Sequence, residues 1–276
     1  MKIERKLKVI EEVSHAHGGL YKGKKLGTIG DIGAMSMMAG KSFAIGEAGM
    51  MVTNNRDLYE RCVAYGHYEW TGLPNNYNPT DQSIFNPALN KFAGIPLGGH
   101  KHRMNQTCAA MGREQLKRYD RRMKTIQSAM NRFWDLLEGA PGLKANRPTK
   151  KSKSTMGGWY APTGLYRAKE LGGLSCAKFC EAVRAEGVPM CNPGANMPLH
   201  LHSVYHEADI FNMGKPTMIS FGQRDVRQGP GSLPVAESIW DICYSIPWFK
   251  HDRPAIVKSY ASAFRKVAEN ADQMLD

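Results

Sequence analysis

Lys41 is the residue of this chain whose surroundings best suit covalent chemistry. It lies in the run MMAGKSFAIGEAGMM, which carries almost no charge and contains small residues that allow close approach of the backbone. Such neighbours remove water from an ammonium group, and an amine that is easily neutralised is a nucleophile toward carbonyl carbons. The pattern therefore indicates a lysine suited to Schiff-base formation, with an ordinary surface lysine as the alternative.

Three other side chains lie where they could serve the same site. Glu12 and His15 stand at or just past the end of a strand predicted over residues 7–13, and Ser36 precedes Lys41 by five residues on a second predicted strand. Ligands of α/β sheets bind beyond the carboxyl ends of the strands, where loops converge. A carboxylate for a ring nitrogen, an imidazole beside the ring and a hydroxyl for a phosphate are the groups that pyridoxal phosphate needs. The hypothesis rests on the combination, because a loop histidine or a core serine alone is common.

The elements that must position these residues follow from the hydrophobic pattern. Asn55 is a good N-cap for a following helix, whereas residues 66–100 show no regular pattern. Strands are predicted over residues 7–13, 34–38, 49–53, 159–166 and 218–221, and helices over 56–65, 108–137, 175–186 and 254–274. Alternating strands and helices predict an α/β protein with two domains, one over residues 1–137 and a smaller one over 138–276.

Length and composition narrow the class of protein. With 276 residues, 42% hydrophobic and 22% charged, the chain can bury a substantial core and differs from disordered, fibrous and disulfide-rich sequences. No run of eighteen apolar residues exists, so we expect no membrane partner.

The segment MKIERKLKVIEE lacks the apolar stretch of a secretion signal, which favours a cytoplasmic location. The six cysteines are widely spaced, which favours packing over metal or redox chemistry.

The net charge of +12 would attract phosphates, nucleic acid or an anionic surface. The basic residues are scattered, however, and the densest group, Lys150, Lys151 and Lys153 after Arg147, lies in a predicted solvated loop. No nucleic-acid-binding motif accompanies it, so we expect no nucleic-acid partner. A role for this region in holding small or acidic anions remains open.

Several motifs in order resemble the DegT/StrS-type sugar aminotransferases, a family of pyridoxal-phosphate enzymes. The central one is VIEEVSHAHGGLYKGKKLGTIGDIGAMSMMAGKSFAIGEAGMMVTNNRDL, and the resemblance continues through GGHKHRMNQTCAAMGREQLKR, AVRAEGVPM, MPLHLH and LPVAESIWDICYSIPW. It implies an α/β chain of the pyridoxal-phosphate-dependent transferase fold (fold type I). The chain would hold a partial large domain with a mixed sheet and a long interdomain helix, followed by the smaller C-terminal α/β domain.

The resemblance assigns roles to individual residues. Lys41 matches the family's Schiff-base lysine, His15 the glutamine or histidine beside the cofactor ring, and Ser36 the serine that binds its phosphate. Glu12 stands where the family has the aspartate that pairs with the pyridine nitrogen, which keeps the charge but adds a methylene. Lys101 occupies the place of an asparagine that reaches the phosphate from the neighbouring subunit.

The implied activity is transfer of an amino group from glutamate or glutamine to a keto-sugar, often nucleotide-linked, or to a keto-cyclitol. Lysine rather than histidine at position 41 argues against the family's deoxygenating branch. The resemblance also implies a homodimer with a shared active site, in which residues 66–100 form an interface and substrate loop. Candidates to line the substrate pocket are Tyr68, Trp70, His200 and His202, with ordinary loop residues as the alternative, and no metal site is expected.

The resemblance further implies that the front of the large domain is absent from this chain. That front carries a phosphate-binding turn and the aromatic residue that stacks on the cofactor ring. We therefore keep a second hypothesis, in which the chain is a catalytically incomplete remnant that binds anions through its basic charge and the Lys150 region.

Overall fold

The computed structural model describes residues 7–66, 84–92 and 95–275. Two compact units divide the chain. The first consists of Met1–Ser128 with Arg147–Tyr160, and the second of Ala129–Asn146 with Ala161–Asp276. Residues 147–160 thus belong to the first unit, whereas the sequence analysis places a single boundary after residue 137.

A three-stranded mixed sheet and a short hairpin organise the first unit. Its strands are β1 (Ile10–Glu12), β2 (Leu20–Tyr21), β3 (Lys24–Lys25), β4 (Ile32–Ser36) and β5 (Gly49–Val52). β4 lies centrally, parallel to β1 and antiparallel to β5, while β2 and β3 pair as the hairpin. Parallel pairing brings the carboxyl ends of β1 and β4 to one edge, because Glu12 lies opposite Ala34. The three predicted strands are confirmed: β1 and β5 are shorter than predicted, and β4 begins and ends two residues earlier.

The Glu11 carboxylate fixes the connection between β1 and β4. It accepts hydrogen bonds from the backbone amides of Gly27 at 2.8 Å and of Ile29 and Gly30, each at 2.6 Å. Burial alone would raise the pKa of Glu11, but the amides of Gly30, Gly27 and Ile29 together lower it. Gly33 faces the same turn, where a Cβ would lie 2.5 Å from the Gly27 carbonyl oxygen, so only glycine fits.

The described α-helices of the first unit are α1 (Arg56–Gly66), α2 (Pro87–Asn90), α3 (Gln106–Leu116) and the first part of α4 (Tyr119–Leu136). Asn55 caps α1 as predicted, since its Oδ1 accepts from the Leu58 amide at 3.2 Å.

The single helix predicted over residues 108–137 is wrong, because α3 and α4 are separated at residues 117–118. Contacts with the loop after Lys41 hold both sides of this break. The Gln115 amide donates to the Ala44 carbonyl, and the Tyr119 ring packs edge-on against Phe43 at 5.2 Å.

The second unit is built on an antiparallel sheet covered by helices. Its strands β6 (Leu143–Ala145), β7 (Thr163–Tyr166) and β8 (Cys243–Ser245) pair in that order. The helices are the end of α4, α5 (Cys176–Ala185), α6 (Pro234–Glu237), α7 (Ile239–Ile242) and α8 (Pro254–Glu269). The core consists of contacting aromatic rings, namely Phe133, Tyr166, Phe179, Tyr244 and Phe264.

Two predicted elements of the second unit change type or length. The strand predicted over 218–221 is a 3₁₀ turn, Thr217–Ile219, because Pro216 starts a tight turn in which the Ile219 amide donates back to the Pro216 carbonyl at 3.0 Å. The helix predicted over 254–274 ends at Glu269 and is followed by a separate 3₁₀ turn, Ala271–Met274.

The cysteines are free thiols. Cys62 is exposed, whereas Cys108, Cys176, Cys180, Cys191 and Cys243 are buried. Contact with Cys180 and burial raise the pKa of Cys176, which keeps this thiol protonated and unreactive. Five of the six therefore serve as small packing residues, as predicted. Within the described part of the chain, no helix combines the length and apolar character needed to cross a membrane.

Candidate active site

Lys41 is buried in the first unit, five residues after Ser36 ends β4. Its side chain is only 8% exposed, and its Nζ lies 4.0 Å from the centre of the Tyr160 ring. The backbone turns sharply here, because the Lys41 amide donates to the Met38 carbonyl at 2.9 Å. A cation over an aromatic face is attracted by the ring's negative π surface, so Tyr160 offsets part of the cost of burying the ammonium.

A buried histidine secures the segment that follows Lys41. His17 is 1% exposed, and its Nδ1 lies 3.1 Å from Ser42 Oγ and accepts from the Phe43 amide at 3.3 Å. A backbone amide can only donate, so Nδ1 carries no proton and the neutral ring is protonated on Nε2. Burial lowers the pKa of His17, the backbone of Ser36 partly opposes this, and the Lys41 cation lowers it further.

Serine hydroxyls join the ends of the two parallel strands. Glu12 Oε1 accepts from the Ser14 amide at 3.1 Å and from the Ser14 hydroxyl, while Ser14 Oγ accepts from the Ser36 amide at 2.9 Å. The Ser36 hydroxyl in turn accepts from the Met38 amide at 3.3 Å. This chain of bonds holds the exposed Glu12 carboxylate at the edge where β4 leads into Lys41.

His15 lies beside both Tyr160 and the charges of the site. Its ring meets Tyr160 edge-on at 4.5 Å, and its carbonyl accepts from the Tyr160 amide at 3.3 Å. Burial lowers the pKa of His15, the Lys41 cation lowers it further, and Glu12 opposes the shift. His15 thus shares the Tyr160 ring with Lys41, while Ser14 links Glu12 to Ser36 at the ends of the two parallel strands.

Tyr160 is the site residue that the sequence analysis missed, since it assigned residues 159–166 to a strand. The strand begins only at Thr163, and residues 155–160 lie against the loop after β1 instead. Close packing requires the glycines before Trp159: a Cβ on Gly157 would lie 2.3 Å from the His17 carbonyl oxygen, and one on Gly158 would clash with Ser42. The GGWY sequence carries this signal, because paired glycines often mark close backbone approach.

Lys101 lies elsewhere in the first unit, on the exposed segment before α3. Its neighbours His100 and His102 both contact the Tyr65 ring, and His102 stacks on it in near-parallel fashion at 6.1 Å. The Gly66 carbonyl accepts from the His102 amide at 3.0 Å. The phosphate-binding role implied for Lys101 stays a prediction.

Of the four candidate substrate residues, the structure describes His200 and His202. Tyr68 and Trp70 are outside the described residues. His200 and His202 belong to the second unit, where His200 Nε2 lies 2.9 Å from Glu237 Oε1. The amide of Gly231 and this histidine lower the pKa of Glu237. Within the described ranges, no three residues of metal-binding type lie together as a potential metal site.

The neutral state of His17 predicts how stability depends on pH. We expect the free energy of unfolding to decrease below pH 6.5, because the unfolded chain then takes up a proton at position 17 while the buried His17 ring stays neutral. The decrease amounts to at most about 1.4 kcal/mol per pH unit and ends at the pKa of His17 in the folded protein. In the variant His17→Asn, whose amide oxygen still accepts from Phe43, this component should vanish. Melting temperatures between pH 7.5 and 5 measure it, with the exposed His251→Asn as control. An unchanged pH slope in His17→Asn would contradict the assignment.

Comparison with known proteins identifies the family to which this sequence is similar. A model of the "DegT/DnrJ/EryC1/StrS aminotransferase family" matches residues 1–217. GDP-perosamine synthase of Escherichia coli O157:H7 is 37% identical over 116 residues, which are 42% of this chain and 27% of that protein. A putative L-glutamine:3-amino-2,3-dideoxy-scyllo-inosose aminotransferase of Micromonospora echinospora is 26% identical over 273 residues, 96% of this chain and 59% of that protein.

A solved structure supports the same assignment at the level of the fold. The aminotransferase from Psychrobacter cryohalolentis superimposes with a TM-score of 0.73 at 23% identity, over 98% of this chain and 64% of that one. The predicted α/β fold of pyridoxal-phosphate-dependent transferases, fold type I, is thereby confirmed. The chain spans less than two thirds of the length of the curated relatives named above. Because the family match covers most of its residues, the chain belongs to the DegT/DnrJ/EryC1/StrS aminotransferase family.

Proposed function

We propose that this protein is a pyridoxal-phosphate-dependent aminotransferase that moves an amino group from glutamate or glutamine to a keto-sugar or keto-cyclitol. One observation carries the proposal: the Lys41 amine is buried at the sheet edge where Glu12, His15 and Ser36 meet, in a chain of an aminotransferase family. By their names, one relative synthesises GDP-perosamine and the other is a putative L-glutamine:3-amino-2,3-dideoxy-scyllo-inosose aminotransferase. These names support the acceptor class.

The side chains of this edge fit the cofactor chemically. Lys41 supplies an amine for an aldehyde, Glu12 a carboxylate for a protonated ring nitrogen, and His15 an imidazole for the side of the ring. Ser36 supplies a hydroxyl for the phosphate, and Lys101 of a second subunit would add a cation there. When bound, pyridoxal phosphate contributes an aldehyde that condenses with amines and a pyridinium ring that withdraws electrons from the adjacent carbon.

Lys41 would transfer the proton in both half-reactions. In the first half-reaction its Nζ, as a free amine, takes the proton from the α-carbon of the amino-acid donor. In the second, the same nitrogen returns a proton to the acceptor carbon that gains the amino group. The apolar burial of Lys41 excludes water from this transfer, and the turn between Met38 and Lys41 fixes where its side chain starts.

Glu12 would supply the counter-ion for the ring nitrogen of the cofactor. Its extra methylene, compared with the family's aspartate, extends the carboxylate beyond the strand end, and the two bonds from Ser14 hold Oε1 there. Lysine at position 41 favours amination over deoxygenation of the sugar, because a lysine provides both the covalent anchor and the proton carrier. Residence in the cytoplasm stays a prediction.

Covalent trapping tests the proposal directly. The purified chain is incubated with pyridoxal phosphate, reduced with borohydride and mapped by mass spectrometry. We expect a phosphopyridoxyl adduct predominantly on Lys41, because this amine is the buried one at the sheet edge, and loss of that adduct in Lys41→Arg. Lys24→Arg, in the exposed hairpin, serves as the control and should leave the adduct intact. Labelling confined to exposed lysines would refute the proposal and favour the anion-binding hypothesis.

Substitution of Glu12 tests the ring-nitrogen assignment. In a single turnover with glutamate, Glu12→Gln should slow formation of 2-oxoglutarate by about a hundredfold, since a preorganised charge that stabilises the transition state is lost. Glu12→Asp preserves the charge and restores the family's residue, so its rate should stay within about tenfold of wild type. Equal rates for Glu12→Gln and wild type would show that another group pairs with the ring.

We also propose that the protein forms a homodimer. The second unit exposes large apolar side chains between residues 199 and 235, including Phe221 at 73% and Val235 at 82%. Apolar surface of this kind favours burial against a second protein surface. We expect light scattering to give twice the mass of one chain, and Val235→Asp to weaken association at least about tenfold because a charge would be buried. A single-chain mass at all concentrations would contradict the dimer, and Lys24→Asp is the matched control.

A further inference from the structure

We propose that Tyr160 is a positioning residue for Lys41, whose aromatic face holds the lysine amine in the orientation from which it attacks an aldehyde. This inference rests on the proposed function and adds to it a residue that lies 119 positions further along the chain. The amine stands 4.0 Å from the ring centre, the shortest of the cation–aromatic distances among the described residues. Lys41 is also the buried lysine of the described core.

The backbone around Tyr160 is held in an unusual conformation. Trp159 and Ala161, on either side of it, have φ angles of 51° and 48°, in the left-handed region that side chains beyond glycine disfavour. Such strain costs about 1–3 kcal/mol per residue and persists where surrounding contacts enforce it, which is common at functional sites. The strained pair flanks Tyr160, whose ring contacts both the Lys41 amine and the His15 imidazole.

The contacts that enforce this conformation are specific. Trp159 is 1% exposed, and its indole nitrogen donates to Gln127 Oε1 at 2.5 Å. The Gly158 amide donates to the His17 carbonyl at 2.8 Å, and the Tyr160 amide donates to the His15 carbonyl. Tyr160 is thus attached to the loop that follows β1, the strand that ends at Glu12.

The ring, rather than the hydroxyl, makes the described contact with the amine. A lysine side chain has four rotatable bonds, and confinement of its amine to one orientation reduces the entropy that attack on a carbonyl must cost. Loss of the ring should therefore have two opposite effects. The Lys41 amine should react faster with a small reagent that can approach from any side. It should react more slowly with the aldehyde of a bound molecule, which requires one orientation of the amine.

Two labelling rates separate these effects. The first is phosphopyridoxyl labelling of Lys41 at saturating pyridoxal phosphate, in which the amine condenses with the aldehyde, water leaves, and borohydride adds hydride to the resulting imine carbon. The second is reductive methylation of Lys41 by formaldehyde and borohydride, without the cofactor. Each is followed by mass spectrometry and normalised to the exposed Lys24.

We expect Tyr160→Leu to slow phosphopyridoxyl labelling about three- to tenfold and to speed methylation of Lys41 by a similar factor. Tyr160→Phe keeps the ring and should match wild type in both rates. Tyr21→Leu, the same substitution in the exposed hairpin where Lys22 lies 5.3 Å from a tyrosine ring, should also match wild type. Melting temperature and circular dichroism establish that each variant is folded.

Other outcomes decide against the proposal. If Tyr160→Leu matches wild type in both rates, the ring does not position the amine; if Tyr160→Phe behaves as Tyr160→Leu does, the hydroxyl is responsible. Faster methylation at Lys24 as well as Lys41 would indicate general loosening rather than positioning. Should wild type form no phosphopyridoxyl adduct on Lys41, the proposed function fails, and the methylation ratio alone then decides whether the ring restrains the amine.

Discussion

Burial of the Lys41 ammonium group costs free energy, and its neighbours in the first unit must offset that cost. Burial of a charge without compensation would cost several kcal/mol, so the amine needs partners that do not block its chemistry. A salt bridge would bind the nitrogen to an oxygen, whereas an aromatic face attracts a cation without a hydrogen bond that must break before the amine reacts. The Tyr160 ring meets this requirement. The Lys41 cation and the Glu12 carboxylate act in opposite directions on the pKa values of His15 and His17, lowering and raising them respectively.

The pairing of two short strands and a few side-chain hydrogen bonds position the residues of the candidate site. The parallel pairing of β1 and β4 sets the edge, Ser14 links Glu12 to Ser36, and His17 holds Ser42 and Phe43 immediately after Lys41. Glu12 and Ser36 are the last residues of their strands, whereas Ser14, His17, Ser42 and Phe43 lie in the loops that follow. The loops are held by partly or fully buried hydrogen bonds, whose loss would leave polar groups unsatisfied.

Local signals allowed much of this to be predicted from the sequence. The strands β1, β4 and β5, the cap at Asn55 and the uncharged surroundings of Lys41 are all encoded within a few neighbouring residues. The break between α3 and α4 could not be predicted, because no glycine or proline marks it and the contacts of Gln115 and Tyr119 with the loop after Lys41 decide it. Tyr160 was missed for the same reason: its role depends on contacts with residues far away in the sequence, and the pattern of residues 159–166 favoured a strand.

The adjacent acids Glu11 and Glu12 have a consequence for how the three-residue strand β1 finds its place. Successive side chains of a strand point to opposite sides, so Glu11 meets the amides of Gly27, Ile29 and Gly30 only when Glu12 points toward Ser14. A slip of one residue would leave both carboxylates misplaced at once. Two identical neighbouring residues thereby specify the alignment of a strand too short to be aligned by its backbone bonds alone.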